Sequence, residues 1–380
     1  MTGAVPWGVT VTADGQNTAG GDDAALEAIR ERIDDLDQRI MQLISERAAC
    51  AQEVARIKRE ADPAATFYRP EREAQVLRRI HGGNPGPLDR EEMTRLFREI
   101  MSACLALEQP LSVAFLGPEG TFTQAAALKH FGHSVQTVAM SAIDEVFREV
   151  ESGSVQYGVV PVENSTEGVV THTLDRFMQS PLHICGEVEM RIHHHLLGQD
   201  ADGGQILRVY SHQQSLAQCR EWLDARLPQA ERLPVSSNAE AARRAAGEAG
   251  AAAIASEAAA ELYGLQVLAA NIEDSPDNTT RFLVIGRQPS GPSGQDKTSL
   301  LVSARNRPGS LHGLLSPFAE NDVSMTRIES RPSQCVNWEY VFFIDLEGHA
   351  QEPRVARALE ALRREAELVK VLGSYPKAVL

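Results

Sequence analysis

The sequence predicts a multidomain chain of three structural classes in series: an all-α segment, an α/β domain and a small α+β unit of ferredoxin-like order. Three observations lead there. Apolar residues recur at helical spacing, uninterrupted by Gly or Pro, over 22–58. After Pro110 short apolar runs alternate with helical stretches. A Pro, Gly and Ser-rich stretch over 288–295 then precedes a final β-α-β-β-α-β pattern. At 380 residues the length also suits two to three domains of about 150 residues.

The first helix carries Leu26, Ile29, Ile33, Leu36, Ile40, Leu43, Ile44, Val54 and Ile57 at its periodic positions. At ~1.5 Å per residue it extends ~50 Å, more than a three-helix unit can cover, so a second copy of the chain is expected against it. Asp62-Pro63 ends it; helices follow over 70–80 and 89–107, separated by a loop over 81–87. Residues 112–116 read as a buried strand, 117–120 as a turn and 121–130 as a helix. Residues 157–162, 206–210, 251–254 and 282–285 read as further strands. Among them lie a helix over 141–150, opened by a capping box of Ser141 and Asp144, and an Ala-rich surface helix over 239–246. Residues 288–295 read as a flexible linker. Beyond it strands at 298–303, 323–329, 338–346 and 369–372 and helices at 311–320 and 354–362 complete the ferredoxin-like unit.

With 43% hydrophobic and 23% charged residues, the composition excludes a disordered or fibrous protein. No apolar run reaches the ~18 residues of a membrane span. A net charge of -15 argues against nucleic acid and polybasic membrane contact, while clustered Arg and Lys can still hold a small anion. Cys50, Cys104, Cys185, Cys219 and Cys335 are odd in number and scattered, which opposes a disulfide framework or a zinc site. Residues 1–22 lack the basic and apolar regions of a signal peptide and read as a flexible tail on a cytoplasmic protein.

Several side chains could bear chemistry. Arg47 and Lys58 are 11 residues apart, which returns to within about 20° of one helix face, whereas Arg30 sits about 100° round from Arg47. Cys104 and Glu108 are i, i+4 neighbours. Taken alone, such residues are a solvated helix face. The 117–120 turn presents N–H groups before a helix, a place for a carboxylate. Asn164, Ser165, Thr166 and Thr280 are short polar residues at strand ends, where α/β crevices lie and where caps are also common. His193, His194 and His195 alternate in facing, so they are read as strand packing, with no metal assigned. The turn 307–310 precedes a helix and can meet an amino acid's carboxylate, and Trp338 is either a pocket wall or core.

Residues 28–58, the segment YRPEREAQVL and the segment LFREIMSACLALEQ resemble the all-helical chorismate mutase domain, over most of 23–109. The resemblance implies an interlocked homodimer in which Arg30 of one chain joins Arg47, Lys58, Arg72 and Glu73 of the other around a dicarboxylate. Arg69 replaces an Asp of enteric members, and Cys104 and Glu108 replace Ser and Gln. The Gln would donate to the substrate's ether oxygen, which Glu can do only when protonated. AFLGPEGTFTQAA (114–126), VPVENSTEG (160–168), YSHQQS (210–215) and TTRFLVIG (279–286) resemble prephenate dehydratase, with Gln213 where many relatives have Pro. That implies a two-subdomain, periplasmic-binding-protein-like domain over 110–287. Thr280 would be its proton donor, and Glu163, Asn164, Ser165, Thr166, Gln214 and Arg281 would line the crevice. After a linker at 288–297, NRPGSL and ESRP in residues 298–380 resemble an ACT domain. It would bind phenylalanine through Pro308, Gly309, Ser310, Leu311, Glu329, Ser330, Arg331 and Pro332.

Together the resemblances imply an enzyme that rearranges chorismate to prephenate, converts prephenate to phenylpyruvate, needs no cofactor and is inhibited by phenylalanine. Two other readings are an amino-acid sensor, opposed by the intact Thr280-Arg281-Phe282, and a dehydratase with an inactive helical domain.

Overall fold

The computed structural model describes residues 19–62, 66–199, 205–303, 307–333 and 340–379. Cys335 and Trp338 lie outside them.

Three helices open the chain: α1 (Ala19–Ala61), α2 (Pro70–Gly83) and α3 (Arg90–Glu108). α1 takes in residues 19–22, which the sequence reading assigned to the tail. Asp89 caps α3 by accepting the Glu92 N–H at 2.7 Å. Only the C-terminal part of α1 is covered, with Ala55 buried, while Ile29, Ile33 and Ile40 are at least half exposed.

The α/β part has two lobes. In the first, β1 (Ser112–Leu116), α4 (Phe122–Phe131), β2 (Gln136–Met140), α5 (Ile143–Ser152), β3 (Tyr157–Asn164), β4 (Gly168–Val169), α6 (Thr171–Gln179) and β5 (His183–Arg191) follow in order. The second holds β6 (His195–Gly198), β7 (Arg208–His212), α7 (Gln213–Gln218), α8 (Arg220–Arg226), β8 (Glu231–Val235), α9 (Asn238–Ala246), β9 (Ala251–Ala255), α10 (Glu257–Tyr263) and β10 (Gln266–Ala269). The chain then returns to the first lobe as β11 (Thr279–Gly286), giving sheets ordered β2-β1-β3-β11-β5 and β10-β6-β9-β7-β8.

Two local expectations change. Ala142 is the N-cap residue of α5, and Ser141 gives both its N–H and its hydroxyl to Glu145 rather than pairing with Asp144. Asp144 instead faces Arg176 at 3.1 Å. α9 is not merely a surface helix: Ala239, Ala241, Ala242 and Ala245 are fully buried, because methyl-sized side chains let it lie close on β7 and β9.

The last unit is β12 (Asp296–Ser303), α11 (Ser310–Glu320), β13 (Met325–Pro332), β14 (Tyr340–Glu347), α12 (Pro353–Glu365) and β15 (Leu368–Pro376), with sheet order β13-β14-β12-β15. It is not tethered by a free linker. Ser290 and Ser293 are buried, the Ser290 hydroxyl donates to the Cys185 carbonyl at 3.2 Å, and Arg78 of α2 donates to the Gln295 carbonyl at 2.7 Å. Leu301, Phe343, Leu372 and Tyr375 share one apolar core with Val160, Val162, Leu283 and Ile285. β15 lies directly on β5: a Cβ at Gly373 would come within 2.2 Å of the Ile184 carbonyl oxygen, so only glycine fits.

Candidate active sites

A crevice opens between the two lobes, where β3, β11 and the first turn of α4 face α7 and the start of α9. The antiparallel register sets Thr280 directly opposite Asn164, and both are buried. The Asn164 Oδ1 accepts from the Thr166 N–H (3.0 Å), the Thr166 hydroxyl (2.6 Å) and the Glu167 N–H (3.0 Å). Three donors on one oxygen orient the amide, whose Nδ2 donates to Asn278 Oδ1 and to Thr280 Oγ1, each at 2.8 Å. Thr280 thus receives a hydrogen bond on its oxygen, and among the described residues no acceptor takes its own hydroxyl hydrogen. An amide donor on the oxygen polarises the O–H and suits it to proton donation.

The support continues outward: Asn278 donates to Gln218 Oε1 (3.2 Å), and Gln218 donates to Thr166 Oγ1 (3.0 Å). His194 Nε2 lies 2.9 Å from the same Gln218 Oε1. Burial lowers the His194 pKa, so the ring is neutral and donates from Nε2, leaving its buried Nδ1 without a partner. The N–H groups of Gly117 and Gly120 are taken internally, by the Met140 carbonyl and the Gln124 side chain. Gly117 and Gly120 line the crevice beside the first turn of α4, which Thr121 caps, but with their own N–H groups taken the N–H groups left to meet an anion are those of the helix turn.

Of the residues expected here, Asn164, Thr280 and Gln214 line the crevice, and Thr166 braces Asn164. Ser165 does not: it is exposed and ties the ends of β3 and β11, donating to the Asp277 carbonyl and accepting the Thr279 N–H. Glu163 and Arg281 do not either, because strand alternation turns both to the opposite face. Glu163 pairs with Arg327 at 2.8 Å, and Arg281 with Asp345 at 2.6 Å and Glu187 at 3.0 Å, all away from the crevice. Asn278, His194 and Gln218 were missed. Alternation back from Thr280 points to Asn278; His194 and Gln218 come from the lobe crossing and α7, which no local pattern marks as adjacent. His193 and His195 do share a face, with stacked rings 6.5 Å apart.

The helical unit gathers Arg47, Lys58 and Glu108 where α1 meets the end of α3, beside buried Cys104. Lys58 Nζ reaches the Phe67 carbonyl (3.4 Å), and Arg59 donates to the Glu108 carbonyl. Burial raises the Glu108 pKa against the lowering pull of Lys58, Arg47 and Arg59. Arg30 is exposed and pairs only with Glu27 among described side chains, far along α1. Arg72 is exposed. Glu73 departs from expectation: one turn before buried Leu77, it points with it into a cavity against Arg98, His130 and β5. There burial pushes its carboxyl up to about 7, with Arg98 pulling it back.

In the last unit Pro308, Gly309 and Ser310 edge a cavity with His312 and 365–367, and Gly309 adopts the left-handed φ of +83° at the N-cap of α11. Leu311 is exposed outside it, and Glu329, Ser330, Arg331 and Pro332 lie apart on β13, with Arg331 bound to Asp175 at 2.8 Å and 3.0 Å. Among the described residues no group of three His, Cys, Asp or Glu could hold a metal ion, and no helix is long and apolar enough to cross a membrane.

Family models match in three places: chorismate mutase type II at 29–109, prephenate dehydratase at 113–290 and the ACT domain at 298–364. A bifunctional chorismate mutase/prephenate dehydratase of Stutzerimonas stutzeri is 64% identical over 359 residues, covering 93% of this chain and 98% of that one. One from Pseudomonas aeruginosa is 61% identical, covering 94% and 100%. Among solved structures, a prephenate dehydratase from Arthrobacter aurescens in complex with L-Phe aligns with TM-score 0.65 and 36% identity, over 70% of this chain and 90% of that one.

Proposed function

The chain belongs to the family of bifunctional chorismate mutase/prephenate dehydratases and converts chorismate through prephenate to phenylpyruvate, and from that premise we propose which residues do each step. In dehydration, prephenate sits in the crevice with a carboxylate at the first turn of α4. As its ring carboxylate leaves as CO2, the freed electron pair aromatises the ring and expels the hydroxyl, which departs as water with the Thr280 proton; solvent restores that proton. The observation that carries the assignment is the Asn164 amide bonded to Thr280 Oγ1 at 2.8 Å with the hydroxyl hydrogen left over. Substitution of Thr280, read as prephenate accumulating from chorismate, tests it.

The rearrangement is pericyclic, so the helical pocket works by holding the reactive conformer and stabilising charge on the breaking ether. Arg47, Lys58 and Arg72 hold the carboxylates, Cys104 walls the pocket, and protonated Glu108 donates to the ether oxygen. Arg30 comes from a second copy packed on the apolar stripe that α1 leaves uncovered. Accordingly, mixing the inactive Arg30→Ala and Arg47→Ala proteins under subunit exchange is expected to restore some mutase activity, because one site of each mixed dimer has neither lesion. No recovery with exchange verified would mean that each chain builds its own pocket.

Phenylalanine is the effector of the C-terminal unit, its carboxylate meeting the turn before α11, in keeping with the L-Phe complex of the Arthrobacter protein. Gly309→Val forces a side chain into a left-handed conformation that costs about 1–2 kcal/mol. Calorimetry should find phenylalanine binding weakened by about tenfold; unchanged affinity would move the effector site elsewhere.

A further inference from the structure

β3 and β11 form the floor of the crevice, and two polar residues that face it, Asn164 and Thr280, are cross-strand neighbours. The next cross-strand pair along is Glu163 and Arg281, and its side chains emerge on the opposite face. The C-terminal sheet occupies that face. Arg281, its side chain 12% exposed, donates Nη1 to Asp345 of β14 at 2.6 Å and Nη2 to the Tyr375 hydroxyl of β15 at 2.9 Å. Its Nε donates to Glu187 of β5 at 3.0 Å. Glu163 is ion-paired with Arg327 of β13, Oε2 to Nε at 2.8 Å. Each catalytic strand is thus gripped, one residue from the reacting groups, by a side chain of the effector unit.

The two grips differ in what they allow. Each guanidinium nitrogen of Arg281 has a partner, and the residue sits on an interior strand of the first-lobe sheet. Arg327 lies on the edge strand of its own sheet, and its Nη2 is buried without a hydrogen-bond partner among the described residues. An edge strand has no neighbour on its outer side to oppose movement, and an unsatisfied buried donor gains by rearranging. The same strand carries Glu329 to Pro332, and Arg331 on it grips Asp175 of α6.

We propose that Glu163 and Arg281 are positioning residues through which the C-terminal sheet sets the placement of Asn164 and Thr280, and that β13 is the element by which phenylalanine alters dehydration. The proposal rests on the assignment of Thr280 as proton donor and of phenylalanine as effector. A displacement of about 1 Å in a positioned group costs about 10²-fold in rate, so a small movement of β13 is sufficient.

The test is a charge exchange in the full chain, with mutase activity as the check of folding. Glu163→Arg and Arg327→Glu are each expected to lower dehydratase kcat by about tenfold or more with KM within about twofold, and the double exchange to recover kcat to within about threefold of the parent. A double variant no better than Glu163→Arg alone would show that Glu163 itself acts on prephenate and would overturn the proposal, as would single variants with parental kcat. If a charge reversal abolishes mutase activity as well, Arg327→Met decides by the same kcat criterion. In Arg327→Met, phenylalanine should bind by calorimetry as in the parent while half-inhibition needs about tenfold more of it; parental inhibition would remove β13 from the route. Failure of the parent to bind phenylalanine would sink the effector assignment alone, leaving the kcat and exchange results to decide the positioning role.

Discussion

Thr280→Ala is expected to lower prephenate turnover by about 10² to 10⁴-fold, the usual worth of a positioned proton donor, while chorismate rearrangement continues at the parental rate. The helical pocket proposed above draws on α1, α2 and α3 and shares no residue with the crevice, so the two activities should separate in one protein. Prephenate should therefore accumulate from chorismate. Thr280→Ser keeps the hydroxyl, and it should keep much more activity than Ala because the Asn164 amide remains to orient it. Phenylpyruvate formed by Thr280→Ala at the parental rate would assign the proton to another group.

Mutase activity is expected to fall as pH rises through the Glu108 pKa, and Glu108→Gln should abolish that fall. The ether oxygen of chorismate gains negative charge as its C–O bond breaks, and a donor there is worth about 10² to 10³-fold. An ionised Glu cannot donate. Opposing influences act on Glu108, and burial outweighs the cations Lys58, Arg47 and Arg59, so its pKa is raised. The sign follows: a raised carboxyl pKa extends the protonated, active form to higher pH than an ordinary Glu, with loss only on the alkaline side. Gln carries a permanent donor of similar size, so the variant should exceed the parent at alkaline pH. Matched pH profiles on chorismate settle it; a parent fully active at alkaline pH, or the same decline in the Gln variant, would make Lys58 the next candidate donor.

Much of the architecture is legible in local pattern. Helical periodicity marks α1 and its uncovered apolar stripe, Asp89 and the Gln109-Pro110 break bound α3, and the β-α-β-β-α-β order of the last unit follows from runs of alternating period. Asn164 and Thr280 are also readable as polar residues at strand ends, where type and place fit a crevice or a cap alike; the proton-donor role of Thr280 is what the family resemblance implies. These features depend on contacts close in sequence, where spacing alone dictates which side chains share a face.

Other outcomes needed the folded chain. Glu163 and Arg281 stand one residue from Asn164 and Thr280, yet a sequence motif does not record which face of a strand meets the crevice and which meets another sheet. That is decided by the packing of β15 on β5 and by a core shared between Val160 and Phe343, residues 183 apart in the chain. For the same reason residues 288–295 read as a tether from composition, whereas buried serines and the reach of Arg78 make them part of the packed interior. Glu73 is drawn from the mutase pocket into an inter-domain cavity because its helix face follows Leu77 inward. The sequence by itself determined the helical unit, the order of the last unit, some of the α/β strands and helices, and the residue types capable of each chemistry; the tertiary structure alone decided which faces meet, since burial of apolar surface between distant segments is a long-range balance that no local spacing encodes.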